Sequence, residues 1–404
     1  MNEWPVHAFG SGPLQMIDGD RGKNYPNGTD FAAEGYCLFL SARNVTKSGF
    51  LFEETTFVSA DKDASLRAGK LIRGDVVLTT RGTVGNVAYF DESVPFENMR
   101  VNSGMLILRP DRARLDPRYL YYFVRSDFMA QQIESLTSGS AQPQLPVRDL
   151  SNATIPIPGM HEQRSIAEVL GALDDKIAAN SKLAATASTL AGLIYDQATG
   201  QIESQPMSQV LQPVLGGTPP RSRDDFWDGD QPWASAKDIT GADFGIVIDT
   251  VEKITDLAVA STKAKPLPKG SVILTARGTV GAVARLAAPA SFNQSCYGFV
   301  PGVVPPGVLF FAIARATERA KEIAHGSVFD TITMKTFDHL AFPRFDSATM
   351  CETESKIGPL LESVSAAVTE NSGLAATRDA LLPQLMSGKL RVRDAERVLG
   401  DAGV

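Results

Sequence analysis

The chain is poor in the residues that build small secreted, metal-bound or membrane-embedded proteins. Its three cysteines, Cys37, Cys296 and Cys351, lie far apart with no C-x-x-C pair, which excludes zinc-ribbon and thioredoxin spacings and leaves them as buried or idle thiols. The four histidines form no H-E-x-x-H pattern, so the usual zinc-enzyme signature is missing. No stretch approaches the ~18 uninterrupted apolar residues of a membrane helix, and Met1 to Trp4 opens neither a basic nor an apolar leader, so the sequence reads as cytoplasmic with no membrane partner. Positive charge is also short: 39 Lys and Arg against 46 Asp and Glu give a net charge of −7, which argues against coating nucleic acid by bulk charge and leaves only local basic surfaces. There is no G-x-x-x-x-G-K-[ST] loop for ATP, no G-x-G-x-x-G after a strand, and no glycine-rich or Asn-Pro-Pro-aromatic element of an adenine methyltransferase. The acidic group Asp224, Asp225, Asp228 and Asp230 has a Trp in its midst and no Glu at calcium-loop spacing, so no metal site is assigned.

What the 404 residues do contain is a repeat with a period of about 190 residues, long enough for two domains. Gly74 to Phe90 returns as Gly270 to Leu286, and the two share L-T-x-R-G-T-V-G. Pro117 with Leu120, Tyr121 and Tyr122 is matched by Pro306 with Leu309, Phe310 and Phe311, each opening an amphipathic helix with proline in its first turn. The segment Leu150 to Pro156 resembles Phe337 to Pro343 in pattern. Valine-rich runs at Val76 and Val272 read as strands and R-G-T-V-G as a tight glycine turn, so each half is a mixed α/β domain.

A longer helix closes each half, roughly 160–198 and 351–387. In the first, Ile166, Leu170, Leu173, Ile177, Asn180, Leu183, Ala187, Leu190 and Ile194 step 4-3-4-3-3-4-3-4. In the second, Ile357, Leu361, Val364, Val368, Asn371, Leu374, Arg378, Leu381 and Leu385 take the same steps. Both are coiled-coil stripes. Because the pattern is a palindrome centred on asparagine, antiparallel packing would bring Asn180 opposite Asn371, a polar pair that penalises shifted registers; the alternative is that both asparagines face solvent.

The residues suited to reading a polymer fall at equivalent places in the halves. One loop carries Arg21, Lys23, Asn24 and Tyr25, followed by Arg43 and Lys47; the other carries Arg221, Arg223 and Trp227, followed by Lys237. This mix contacts phosphates and base edges, although neighbouring Arg and Asp also make ordinary surface ion pairs. Arg81 and Arg277 in the glycine turns hold a phosphate on one reading; on the other, the commoner fate of a charged turn residue, each pins a carboxylate in a folding element. Gln142, just before the closing strand of the first half, is placed to reach an adenine edge or to cap the preceding helix.

With these residues in view, the chain resembles the DNA-specificity subunit of type I restriction–modification enzymes over nearly its whole length. The likeness rests on the duplicated L-T-x-R-G-T-V-G element, on Gly217, Thr218 and Pro219 with Trp227, Pro232 and Trp233, on Glu162 and Gln163 ahead of the first stripe, and on Leu381 to Leu390. The second stripe departs from the pattern, since Cys351 to Ser355 replaces the Glu-Gln-Arg start. The resemblance implies an α+β, mixed α/β architecture: two pseudo-symmetric target-recognition domains, 1–155 and 201–345, joined by two long antiparallel coiled-coil helices, the spacer at 156–200 and the C-terminal helix and tail at 346–404.

It further implies a non-catalytic subunit. Each domain would read half of a split double-stranded DNA target, and the helices would set the gap and dock two methyltransferase subunits, with restriction/translocase subunits joining the complex. No cofactor would bind this chain; S-adenosylmethionine, ATP and Mg would serve on the partner subunits. About 30 helical residues at 1.5 Å each span ~45 Å, on the scale of the ~34 Å between half-sites one DNA turn apart. A protein-interaction scaffold that never touches DNA is the alternative, and a hydrolase in each half is disfavoured by the lack of any repeated Ser/His/Asp or paired-carboxylate set.

Overall fold

A computed structural model describes residues 4–139, 143–323 and 331–401. The chain divides into two compact units, residues 1–175 with 374–404, and residues 176–373, so each long helix contributes to both. In the first unit four antiparallel strands lie in the order Leu14–Asp18, Met105–Pro110, Val76–Thr79, Val87–Tyr89. In the second, Val214–Leu215, Cys296–Phe299, Val272–Thr275 and Val283–Leu286 repeat that order, with Ile246–Val247 added in parallel at the edge. Smaller sheets flank both: Phe57–Val58, Cys37–Leu40 and Met99–Val101 in one, Glu252–Ile254, Trp227–Ala234 and Ser291–Phe292 in the other. A first strand pairs with the closing strand in each case, Val6–Ala8 with Thr154–Pro156 and Ser204–Pro206 with Ala341–Pro343. The mixed α/β duplication read from the motifs is the fold.

The proline helices form as their sequences require. Asp116 caps Pro117–Arg125 by accepting from the N–H groups of Arg118 (3.0 Å) and Tyr119 (3.1 Å). The second, Pro306–Ile323, has no such acid, and Glu354 supplies the acceptors instead, for Gly307 N–H (3.1 Å) and Val308 N–H (2.9 Å). Glu354 holds the place in the second long helix that Gln163 holds in the first. Gln163, fully buried, accepts from Asp116 N–H (2.8 Å) and donates to the carbonyls of Arg114 (3.1 Å) and Pro158 (2.8 Å). The missing Glu-Gln-Arg start is therefore replaced in role by Glu354, and the second long helix begins earlier than its stripe, at Ser347, where Asp346 accepts from Thr349 N–H at 2.8 Å.

The long helices are Met160–Thr199 and Ser347–Met386, and their pairing is antiparallel. Within the second unit Asn180 meets Glu370, while Ala184 and Ala187 pack among Val364, Ala367 and Val368. Ile166, Leu170, Leu173, Ile357, Leu361, Val364, Val368, Leu374 and Leu381 are buried, and Ile177 is half-buried. Leu183 and Leu190 are a correction to the expected stripe: they are 52% and 46% exposed, and Ala184 and Ala191 take the inward positions. A 3.6-residue helix drifts from a 3.5-residue repeat, and past Asn180 its inward face meets the globular part as well as the partner helix. Ala191 and Tyr195 enter that domain's core, Tyr195 stacking on Phe311 at 5.4 Å.

Asn180 and Asn371 stand at one level without bonding each other. Asn180, buried, donates to Glu370 Oε2 at 2.7 Å; Asn371 donates to Ser181 Oγ (3.0 Å) and the Ile177 carbonyl (3.3 Å). Neither simply faces solvent. Within the first unit Arg378, set in the apolar stripe, is satisfied by Asp174 at 2.7 Å, which also accepts from Tyr122 Oη at 2.9 Å and so ties the proline helix to the helix pair.

Candidate nucleic-acid interface

The L-T-x-R-G-T-V-G element is a hairpin loop closed by its threonine. Thr79 is fully buried; its Oγ1 donates to the Thr83 carbonyl and accepts from Asn86 N–H at 2.9 Å, while the Thr79 carbonyl accepts from Gly85 N–H at 3.0 Å. Thr275 repeats every bond, donating to the Thr279 carbonyl and accepting from Ala282 N–H at 2.9 Å, with Gly281 N–H on its carbonyl at 2.9 Å. Gly82 and Gly278 sit at φ +76° and +79°, and a Cβ on either would meet nothing within 4 Å. These glycines are demanded by backbone conformation alone, and the loop tip stands open.

Arg81 and Arg277 are exposed at those tips. Neither side chain has a hydrogen bond or ion pair among the described residues, which overturns the reading that each pins a carboxylate. The N–H groups of Thr83 and Val84, and of Gly278, Thr279 and Val280, likewise have no partner among the described residues, while Arg81 forms an isolated antiparallel bridge with Gln144.

Beside each turn lies a second repeated device. In Ser41 to Asn44, Ser41 N–H donates to Asn44 Oδ1 at 2.9 Å; in Ser235 to Asp238, Ser235 N–H donates to Asp238 Oδ2 at 2.8 Å. These boxes fix the backbone and turn the intervening Arg43 and Lys237 outward. Lys237 shares a cavity of about 470 Å³ with Arg277, Gly278 and Thr279; Lys47 lines a cleft with Gly82 and Thr83. Lys23, Lys47 and Lys237 make no ion pair among the described residues.

The remaining arginines are engaged. Arg21 bonds Asp18 (2.9 Å) and the Ser103 carbonyl (3.1 Å), and Arg43 bonds Glu54 (2.6 Å) in a highly exposed pair that water screens well. Arg223 forks onto Asp225 at 2.7 and 2.6 Å. Arg221 forks onto Glu252 and lies 3.7 Å over the Trp227 ring, and its hydrogen bonds hold the Glu252 carboxyl below its usual range. Asn24, Tyr25 and Trp227 have local tasks: Asn24 donates to the Ser65 carbonyl (3.0 Å), Tyr25 packs edge-on to Phe39, and Trp227 packs edge-on to Trp233. Gln142 lies outside the described residues. No cluster of three or more His, Cys, Asp or Glu able to hold a metal occurs among the described residues, and no helix among them is long and apolar enough to cross a membrane.

The role of Thr79 and Thr275 is marked in the sequence only by their identical position two residues ahead of the repeated arginine. Replacing either by valine keeps the shape and removes a hydroxyl that serves a carbonyl and an amide, at a cost of about 1–3 kcal/mol. Hydrogen exchange at Asn86 in Thr79→Val, or at Ala282 in Thr275→Val, should accelerate; unchanged protection would mean that the hydroxyl does not hold the loop.

Two copies of one α/β module, each closed by the same hairpin loop and bound to a pair of long helices, define a duplicated, helix-braced module protein. The chain matches the type I restriction modification DNA specificity domain at residues 21–187 and 207–344. It belongs to that family, as a non-catalytic specificity subunit. It is 20% identical to the type I restriction enzyme HindI specificity subunit of Haemophilus influenzae over 96% of this chain and 100% of that protein. A shorter match, 30% identical over 32% of this chain and 31% of the other, is to the MjaIX specificity subunit of Methanocaldococcus jannaschii. The crystal structure of a type I restriction–modification S subunit from M. genitalium shares the fold with a TM-score of 0.62, at 15% identity, covering 95% of this chain and 96% of that one.

Proposed function

We propose that each module reads one half of a split duplex target, and that the paired helices set the gap and dock two methyltransferase subunits. The observation that carries this reading is the recurrence, in both modules, of an unpaired arginine on a pinned loop with an outward basic residue beside it. Such free cations suit a polyanion, and at a net charge of −7 the grip is local rather than global. Leu183, Leu190 and Leu193, left exposed on one long helix, offer an apolar surface of the kind a protein partner covers. The chemistry of methyl transfer, with S-adenosylmethionine, and of ATP- and Mg-dependent translocation and cleavage falls to the partners, which lie with this chain in the cytoplasm.

The test is a graft. Replacing residues 206–345 by the corresponding segment of a related protein should change one half of the methylated sequence and leave the other intact, read by methylome sequencing of cells expressing the complex. If both halves changed together, reading would not be divided between the modules.

A further inference from the structure

We infer that the two R-G-T-V-G turns are phosphate grips, each holding a DNA backbone phosphate between one arginine and a row of backbone N–H groups, and that they supply affinity without choosing bases. The inference rests on the DNA-reading function proposed above and assigns to these loops the half of the task that is blind to sequence.

Three observations lead there. Each tip gathers open donors: the guanidinium of Arg81 with the N–H groups of Thr83 and Val84, and that of Arg277 with those of Gly278, Thr279 and Val280, without partners among the described residues. A row of N–H donors beside a guanidinium fits an anion that only accepts, whereas the adenine and cytosine edges of the major groove each present a donor.

Next, the R-G-T-V-G turns are identical in the two modules, while the first basic loops are not. Arg21 to Tyr25 and Arg221 to Trp227 have little in common, yet L-T-x-R-G-T-V-G recurs with the same threonine bonds and the same positive-φ glycine. Modules that read different half-sites must differ in the parts that read, and what two half-sites always share is the backbone.

Last, the grip is built before any ligand arrives. Thr79 and Thr275 fix the loop from beneath, the space over Gly82 and Gly278 is clear, and Lys237 lines one cavity with Arg277 while Lys47 lines a cleft with Gly82. Among the described residues no acid pairs with either arginine, unlike Arg43, Arg221 and Arg223, which are all engaged by carboxylates.

The experiment uses the full chain assembled with its methyltransferase subunits. Arg81→Ala, Arg277→Ala and the double variant are compared with wild type on a target duplex and a scrambled duplex across a salt series. Each single change should weaken binding to both duplexes by a similar factor, about tenfold, and make the slope of log affinity on log salt shallower by about 0.9. The methylated sequence should stay the same, and Arg→Lys should restore the slope. Both side chains are exposed and unpaired, so thermal midpoints should not move.

A loss confined to the target duplex, with a relaxed methylated sequence, would make these arginines base readers and overturn the inference; so would unchanged affinity and slope. In either case the reading function survives, because wild type still discriminates. If wild type binds duplex without discriminating, that function falls, and the grip is then judged on the salt slope alone.

Discussion

Excising Lys182–Ala185 from one long helix together with Ala366–Thr369 from the other should shorten the gap tolerated between half-sites by about two base pairs, with both half-sites unchanged. The excised segments face each other in the antiparallel pair, where Ala184 packs among Ala367 and Val368. Four residues at 1.5 Å remove about 6 Å of rod, close to two steps of duplex at ~3.4 Å. The polar level of Asn180, Glu370 and Asn371 is kept, so the shortened helices retain the bonds that define their register. Removing four residues from one helix alone would instead set that level against apolar neighbours and should cost assembly. Methylome sequencing decides: an altered half-site with an unchanged gap would end the ruler reading.

Asp63→Ala should destabilise the first unit by about 3–5 kcal/mol, the range for stripping one partner from a buried ion pair. Asp63 lies in the helix Ala60–Ser65 with its side chain 6% exposed, bonded by Lys70 and by Arg100, whose side chain is equally buried. Arg100 reaches from the strand Met99–Val101 to the carbonyls of Asp63 (2.8 Å), Leu66 (3.3 Å) and Ala68 (2.7 Å), so it also closes the C-terminal end of that helix. Without the carboxylate, a guanidinium remains in the interior with carbonyl partners alone. Exchange of the amides in Cys37–Leu40 and Met99–Val101 should accelerate strongly. Asp61→Ala, exposed in the same helix, should cost less than about 1 kcal/mol. Equal effects from the two would mean that burial is not the cause.

The pH dependence has a definite sign. Burial works to raise the Asp63 pKa, and the hydrogen bonds from Lys70 and Arg100 more than offset it, leaving the carboxyl below its ordinary value. A carboxyl depressed in the folded state contributes stability above its unfolded pKa of about 3.9 and loses it as pH falls through the folded value. The difference between wild type and Asp63→Ala should therefore be full near neutrality and shrink in acid. The neighbouring Cys37 thiol is pushed up to about 12, by burial first and then by the Asp63 charge, so it stays protonated throughout.

Much of this was open to a reader of the residues in order. The duplicated hairpin, the proline helices and the long paired rods follow from local signals, because hydrogen-bond closure of a turn and the apolar face of a helix depend on neighbours within a few positions. Leu183 and Leu190 show where that reasoning stops. Periodicity identifies a face, but a helix flanked by both a partner helix and a globular core has two claimants for it, and small Ala184 and Ala191 win the inward positions by allowing close approach. The charges divide in the same way. Arg221 finds Glu252, and Arg43 finds Glu54, across the turn of the chain, while Arg81 and Arg277 find nothing among the described residues.

The sequence alone determined that this protein is one α/β module written twice on a scaffold of paired helices, since repetition and periodicity are properties of order along the chain. Only the tertiary structure decided which cations are neutralised and which are left for a ligand. Electrostatic partnership depends on distance in space, and in a folded chain that distance is set by segments remote in sequence.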